Sequence, residues 1–202
     1  RMGPYTTFPP QGSPDPRDLW KWMATYEAET NGDVLALAHN GNLANGIMFP
    51  ETAQWNGKEL DEEYVVQRAL WEPMYEVTQI KGDGETHPFL SPNDEFADFE
   101  TWDDANLDGT EIKKKEMLQY EYARSALKIG LMMEKELGVN PFKFGMAAGT
   151  DAHTALAAVA ENNFFGKHPG VEPEPHRWEH VVIKSSLDPS LTTLGWQQAA
   201  GG

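Results

Sequence analysis

Asp151 and His153 stand two residues apart in the stretch GMAAGTDAHTALAA, Gly145 to Ala158. A run of small apolar residues ends there, an ionisable pair follows, and small helix-forming residues resume. Side chains at i and i+2 of an extended segment point to the same side. A carboxylate and an imidazole placed in that way can reach one cation, and zinc, manganese and iron all accept oxygen and nitrogen donors. Ala147, Ala148 and Gly149 allow a close backbone approach. The plainer use of the same residues is capping. Asp151 or Thr154 would close the start of a helix over Ala155 to Phe164, with His153 merely packed.

Further positions carry comparable chemistry. His39 ends the apolar run DVLALAH and is followed by Asn40 and Asn42. It reads as a ligand, or as a histidine in a turn, where Asn tolerates the backbone. Glu76 lies inside MYEVTQI. A carboxylate within a parallel strand is costly unless paired or metal-bound. It would ligate metal, orient a ligand histidine or contact substrate; the alternative is an ion pair with Lys81 or Arg68. KGDGETHP offers Lys81, Glu85 and His87 to an anionic substrate, or forms an ordinary solvated loop. The sequence contains no phosphate-cradling Gly-rich loop and no nucleophile elbow. It has no Cys, which excludes disulfides and thiolate metal sites.

The elements that would hold these residues alternate. Asp15-Pro16 opens a helix with Leu19, Trp22, Met23 and Tyr26 at helical spacing, and Gly32 is the expected stop. DVLALAH follows as a buried strand. A helix over Glu59 to Trp71 is limited by Pro73, and MYEVTQI is the next strand. A polar loop runs from Lys81 to Asp108. The longest helix is expected over Asp108 to Leu137, closed by Gly138, with Glu111 and Lys115 as a surface pair. FKFGMAAG is another strand, and HVVIK a weak one in a Pro-rich tail. EFADFETWDD is expected to be an acidic surface segment with its Phe residues turned inward. Trp20, Trp22, Trp71 and Trp102 are assigned mainly to the core, and Lys113 to Lys115 to a solvated face.

Helix and strand alternation of this kind marks a parallel α/β sheet or barrel, whose working residues sit just past the C-terminal strand ends. Here those positions are His39 to Asn42, Gln79 to His87, and Thr150 to His153, so three of the six His share one expected rim. The 202 residues suit a single domain segment spanning 1–202, with 166–202 as an irregular tail. Sixteen Lys and Arg against 32 Asp and Glu, a net charge of −16, exclude a phosphate-backbone binder. No stretch has the ~20 apolar residues of a membrane span. Three or four strands cannot close a barrel of about eight. The chain is therefore expected to lack N-terminal strands, supplied by a longer protein or a companion chain, and to leave one side of its sheet open.

The stretches LALAHNGNLANGIMF, YEVTQIKGDGETHP, SPNDEFADFE and GTDAHTAL…ENNFFGK resemble a bacterial family known only as domain of unknown function 3604. That family resembles the PHP (polymerase and histidinol phosphatase) metallohydrolases. The resemblance spans about Asp15 to Lys167. It implies the C-terminal half of a distorted α/β barrel holding two or three divalent ions, zinc or manganese, and hydrolysing small anionic phosphate or sulfate esters. AHN resembles a strand motif ending in a ligand, which makes His39 a metal ligand. GTDAH resembles the last motif of that group, which makes Asp151 and His153 ligands. YEV resembles the intervening Glu strand, so Glu76 is a weaker candidate. Asn40, Lys81, Glu85 and His87 remain as supporting or substrate-contacting residues. PHP domains open with a His-x-His strand, and no His precedes His39. The competing expectation is a non-catalytic α/β module, metal-binding or partner-binding, with an incomplete site.

Overall fold

A computed structural model describes residues 13–153, 181–184, 187 and 192–195 of the chain. The first helix, α1 (Pro16–Thr30), begins as its sequence dictates. Asp15 is extended and its side chain accepts from the Arg17 N–H at 3.0 Å, with Pro16 in the first helical position. Its end differs from expectation. Asn31, not Gly32, takes the left-handed turn at φ 52° and returns its N–H to the Glu27 carbonyl, a conformation Asn tolerates.

Strand β1 (Leu37–Ala38) is shorter than the DVLALAH run. Leu35 and Leu37 are exposed, so this run is not the fully buried strand its composition suggests, although Val34, Ala36 and Ala38 pack on the core. Helix α2 (Glu62–Trp71) starts from Asp61, whose carboxylate accepts from the Tyr64 N–H at 2.8 Å. It buries Tyr64, Val65, Arg68 and Trp71 on one face. Strand β2 (Met74–Gln79) then runs parallel to β1 and turns back antiparallel into β3 (Gly82–Asp83).

The long helix expected over 108–137 does not form. The chain makes bonded turns around Asn106 and Thr110, then a single helical turn, α3 (Lys115–Leu118), and only then α4 (Ala123–Leu137). The cause is tertiary. Tyr122 is extended, and the Ala123 and Arg124 N–H groups donate to the Gly84 and Glu85 carbonyls at 2.8 and 2.9 Å. The orphan donors of the helix start are thus satisfied by the β2–β3 hairpin. Glu111 accordingly pairs with Lys114 at 3.1 Å rather than with Lys115. Gly138 closes α4 at φ 81°, as expected.

Strand β4 (Gly145–Ala148) runs parallel to β2 on the side opposite β1 and β3. The described sheet is therefore mostly parallel and open, with β2 at its centre and helices around it. Among the described residues neither β1 nor β4 pairs with a further strand. Separately, β5 (Val181–Lys184), within the HVVIK run, pairs antiparallel with β6 (Thr192–Gly195). The helix expected over Ala155 to Phe164 and most of the 166–202 tail lie outside the described residues.

The apolar core joins α1, α2, α4 and the sheet. Trp20 meets Tyr64 edge-on at 5.2 Å, and Phe49 meets Tyr75 and Phe142 edge-on at 5.1 and 5.3 Å. The Arg68 guanidinium lies 4.8 Å above the Phe142 ring. Burial opposes its charge, yet Glu72 and the Tyr64 hydroxyl hold its pKa above the ordinary value. One expectation about packing is reversed. Phe96 and Phe99 are 74% and 59% exposed, while Ala97 between them is buried. The Asp94 carboxylate accepts from the Phe96 N–H, and successive tight turns direct the small residue inward.

Candidate functional site at the strand ends

Because β1, β2 and β4 are parallel, their C-terminal ends lie at one end of the sheet. The turn after β1 needs its particular residues. Asn40 is left-handed at φ 56°, and a Cβ on Gly41 would collide with the Tyr75 hydroxyl and the Glu121 carbonyl. Asn42 is buried and donates to the Lys81 and Trp102 carbonyls at 2.9 and 3.1 Å. This clamp between the first and second strand ends was not singled out in the sequence. His39 is exposed beside it, and the Asn40 Oδ1 is buried with no hydrogen-bond partner among the described residues.

At the other strand ends the ionisable groups meet. Lys81 is buried, and its Nζ is ion-paired with Asp151 Oδ2. The other oxygen of Asp151, Oδ1, lies 2.9 Å from His153 Nε2. Asp151 is left-handed at φ 53°, which is not the extended backbone of an N-cap. That weakens the capping alternative for this residue. Thr150 supplies a local bond instead, accepting from the Ala152 N–H at 3.2 Å. Glu76 lies close by. Its Oε2 accepts from Gln79 Nε2 at 3.1 Å, and its Oε1 lies 3.9 Å from where a Gly149 Cβ would stand. Glu76 therefore does not use either cation offered to it in the sequence. Lys81 goes to Asp151, and Arg68 pairs with Glu72 at 3.1 Å. The register shift between Glu76 and Thr78 puts Gln79 beside Glu76 despite their odd spacing.

His39 stands apart from this group for a reason visible in the register. Ala38 is level with Tyr75, and Tyr75 with Met146. His39 thus falls level with the middle of β4, two strand spacings away, roughly 10 Å, and well short of Asp151. Among the described residues no group of three or more His, Asp or Glu is gathered so that it could hold a metal ion.

Glu85 and His87 are engaged in internal contacts. Glu85 Oε1 accepts from both Nε and Nη2 of Arg124 at 2.9 and 2.8 Å. His87 Nδ1 accepts from the Phe89 N–H at 3.0 Å, which places the proton of the neutral ring on Nε2, 2.8 Å from Asp103. Behind the strand ends lies a polar interior. Glu121 is fully buried, and its Oε1 accepts from the Gly46 N–H and from Lys113 Nζ at 2.8 and 2.5 Å. Burial pushes its pKa up, outweighing the Lys113 ammonium. Burial likewise raises Asp83, against the two N–H groups of Glu85 and Thr86 that its carboxylate accepts. The hydroxyls of Tyr75 and Tyr122 are raised by burial and then by nearby carboxylates, so both stay protonated.

The fold and this strand-end cluster define a mixed α/β protein with a mostly parallel open sheet. Residues 2–202 match the family described as "Protein of unknown function (DUF3604)", and the chain belongs to that family. No curated protein and no solved structure matches it. Among the described residues, no helix is long and apolar enough to cross a membrane.

Proposed function

We propose that this chain forms part of a PHP-type metallohydrolase that hydrolyses phosphate, or by extension sulfate, esters, with its sheet completed as a distorted barrel. The reading is carried by one observation. At a parallel strand end, where α/β proteins build their sites, Lys81, Asp151 and His153 form a contiguous ionisable cluster, with Glu76 beside it.

The donor types fit a divalent cation. A carboxylate and an imidazole, Asp151 and His153, suit zinc or manganese, and a bound cation would take the place beside Asp151 that the Lys81 ammonium occupies. In this reading Asp151 and His153 hold metal, His39 lies too far along the rim to join them, and further donors come from outside the described residues. The bound cation would supply an activated water and offset charge on the ester oxygen. Lys81 would hold the anionic ester group as well as Asp151. Glu76 would orient the cluster from behind.

A second reading is favoured by the internal satisfaction of the same residues. Asp151 already has Lys81 and His153, Glu85 has Arg124, and His87 has Asp103. That pattern suits a non-catalytic α/β module. Metal analysis of the whole natural protein, paired with turnover of aryl phosphate and aryl sulfate esters, separates the two. Stoichiometric zinc or manganese with ester turnover is the expected result. A metal-free protein inert on the whole panel would establish the module reading.

A further inference from the structure

We infer that the cavity between α1, β1, α2 and residues 44–55 is a binding site for an uncharged, largely apolar small molecule presenting an amide-type edge, a donor beside an acceptor. The cavity has a volume of about 550 Å3, within the range of small-molecule sites. Its walls are mainly apolar, with Leu19, Ile47 and Met48 among them, and the half-exposed Trp55 offers a flat ring.

Gln54 specifies the chemistry. It is 6% exposed, lines this cavity, and neither its Nε2 nor its Oε1 has a hydrogen-bond partner among the described residues. A buried primary amide with both ends unpaired is costly, and native proteins rarely keep one without a use. Its backbone is fixed: the Gln54 N–H donates to the Lys58 carbonyl and the Gly57 N–H to the Gln54 carbonyl, both at 2.8 Å. Only the side chain is left to move. It also borders a second void of about 250 Å3. Asn45, left-handed at φ 54°, adds a buried, unpartnered Oδ1 from the same lining. The unmet set is thus two acceptors and one NH2 donor, the complement of a carboxamide or lactam edge.

Charge is excluded by the cavity's own ion pair. Arg68 and Glu72 both line it, and each is consumed. Arg68 gives Nε to Glu72, Nη1 to the Tyr64 hydroxyl and Nη2 to the Met48 carbonyl; Glu72 also accepts from Trp20 Nε1 at 2.9 Å. A charged ligand would lose its hydration without gaining a counter-ion. His39 lines the same cavity.

The test is titration calorimetry of the whole protein with benzamide, benzoate and toluene as probes. Benzamide should saturate one site and bind at least tenfold more tightly than benzoate. Gln54→Leu should weaken benzamide at least tenfold and leave toluene unchanged. Because the Gln54 amide has no partner among the described residues, Gln54→Leu should melt no lower than the parent. Ile47→Trp, which fills the cavity from a half-exposed position, should abolish binding of benzamide and toluene alike. No saturation by benzamide would overturn the inference. So would unchanged benzamide affinity in Gln54→Leu, or binding that survives Ile47→Trp. None of these readings uses turnover or metal content, so they stand or fall apart from the hydrolase proposal.

Discussion

The two interiors of this molecule are held together differently. Around Trp20, Tyr64, Phe49 and Phe142 the chain buries rings against rings, and the buried Arg68 there lies between Phe49 and Phe142 and is paired with Glu72. Around Glu121, Asp83 and His87 it buries ionisable groups that each depend on two specific polar partners. The first interior is stabilised by area and dispersion, which degrade gradually. The second is stabilised only while each group keeps its partners, because an unpaired buried charge costs far more than the pair contributes.

Substitutions sharpen that contrast. Lys113→Met removes the ammonium and leaves the Glu121 carboxylate, whose side chain is 0% exposed, without its cation. The expected loss is about 3–5 kcal/mol, read by urea denaturation. Adding Glu121→Gln should restore most of it. Phe142→Ala should cost a similar amount, about 3–5 kcal/mol, but no second substitution at Phe49 should recover it. Recovery there, or none in the Lys113 double variant, would erase the distinction.

The pH dependence separates the interiors further. The carboxyls of Glu121 and Asp83 are raised in the folded state by burial, so the native chain holds those protons more tightly than the unfolded chain. Stability linked to them is fully present below their unfolded values and is lost as pH rises through their folded values. Lowering the pH from neutral into the carboxylate range should therefore favour the parent relative to Glu121→Gln. Asp94, lowered by its bond to Arg124, works in the opposite direction, its contribution disappearing as pH falls through its folded value. Denaturation midpoints of parent and variant across that range report the sign. The smallest expected effect is at the edge of the apolar interior, where Asp61→Ala removes the cap of α2 for about 1 kcal/mol.

The same division decided what the sequence revealed. The Asp15 cap, the Pro73 limit, strand β2 and the Gly138 stop were legible because each depends on local backbone chemistry. The break before α4 was not, since it is imposed by the hairpin carbonyls of Gly84 and Glu85, nearly forty residues away. Hydropathy likewise could not place Phe96 and Phe99 outside, because turns around Asp94 and Phe96 set their direction. At the strand ends, the pattern of types located Asp151 and His153 but not their mutual contact or the Lys81 pair. A two-residue β1 also separates His39 from them, and no spacing rule reports strand length that finely.

The most direct test of the metallohydrolase proposal is Asp151→Asn in the whole protein, with metal occupancy and aryl phosphate turnover measured beside the parent. The variant also acts on stability. It leaves Lys81, with 8% side-chain exposure, without its carboxylate, at a cost of about 2–3 kcal/mol, below that of a fully buried pair. Lys81→Met in the same chain, monitored by melting, controls for that loss. The proposal predicts that metal content and turnover fall together by at least a hundredfold in Asp151→Asn while the protein remains folded. Full metal occupancy with parental turnover would contradict it and leave Asp151 as the structural partner of Lys81 and His153.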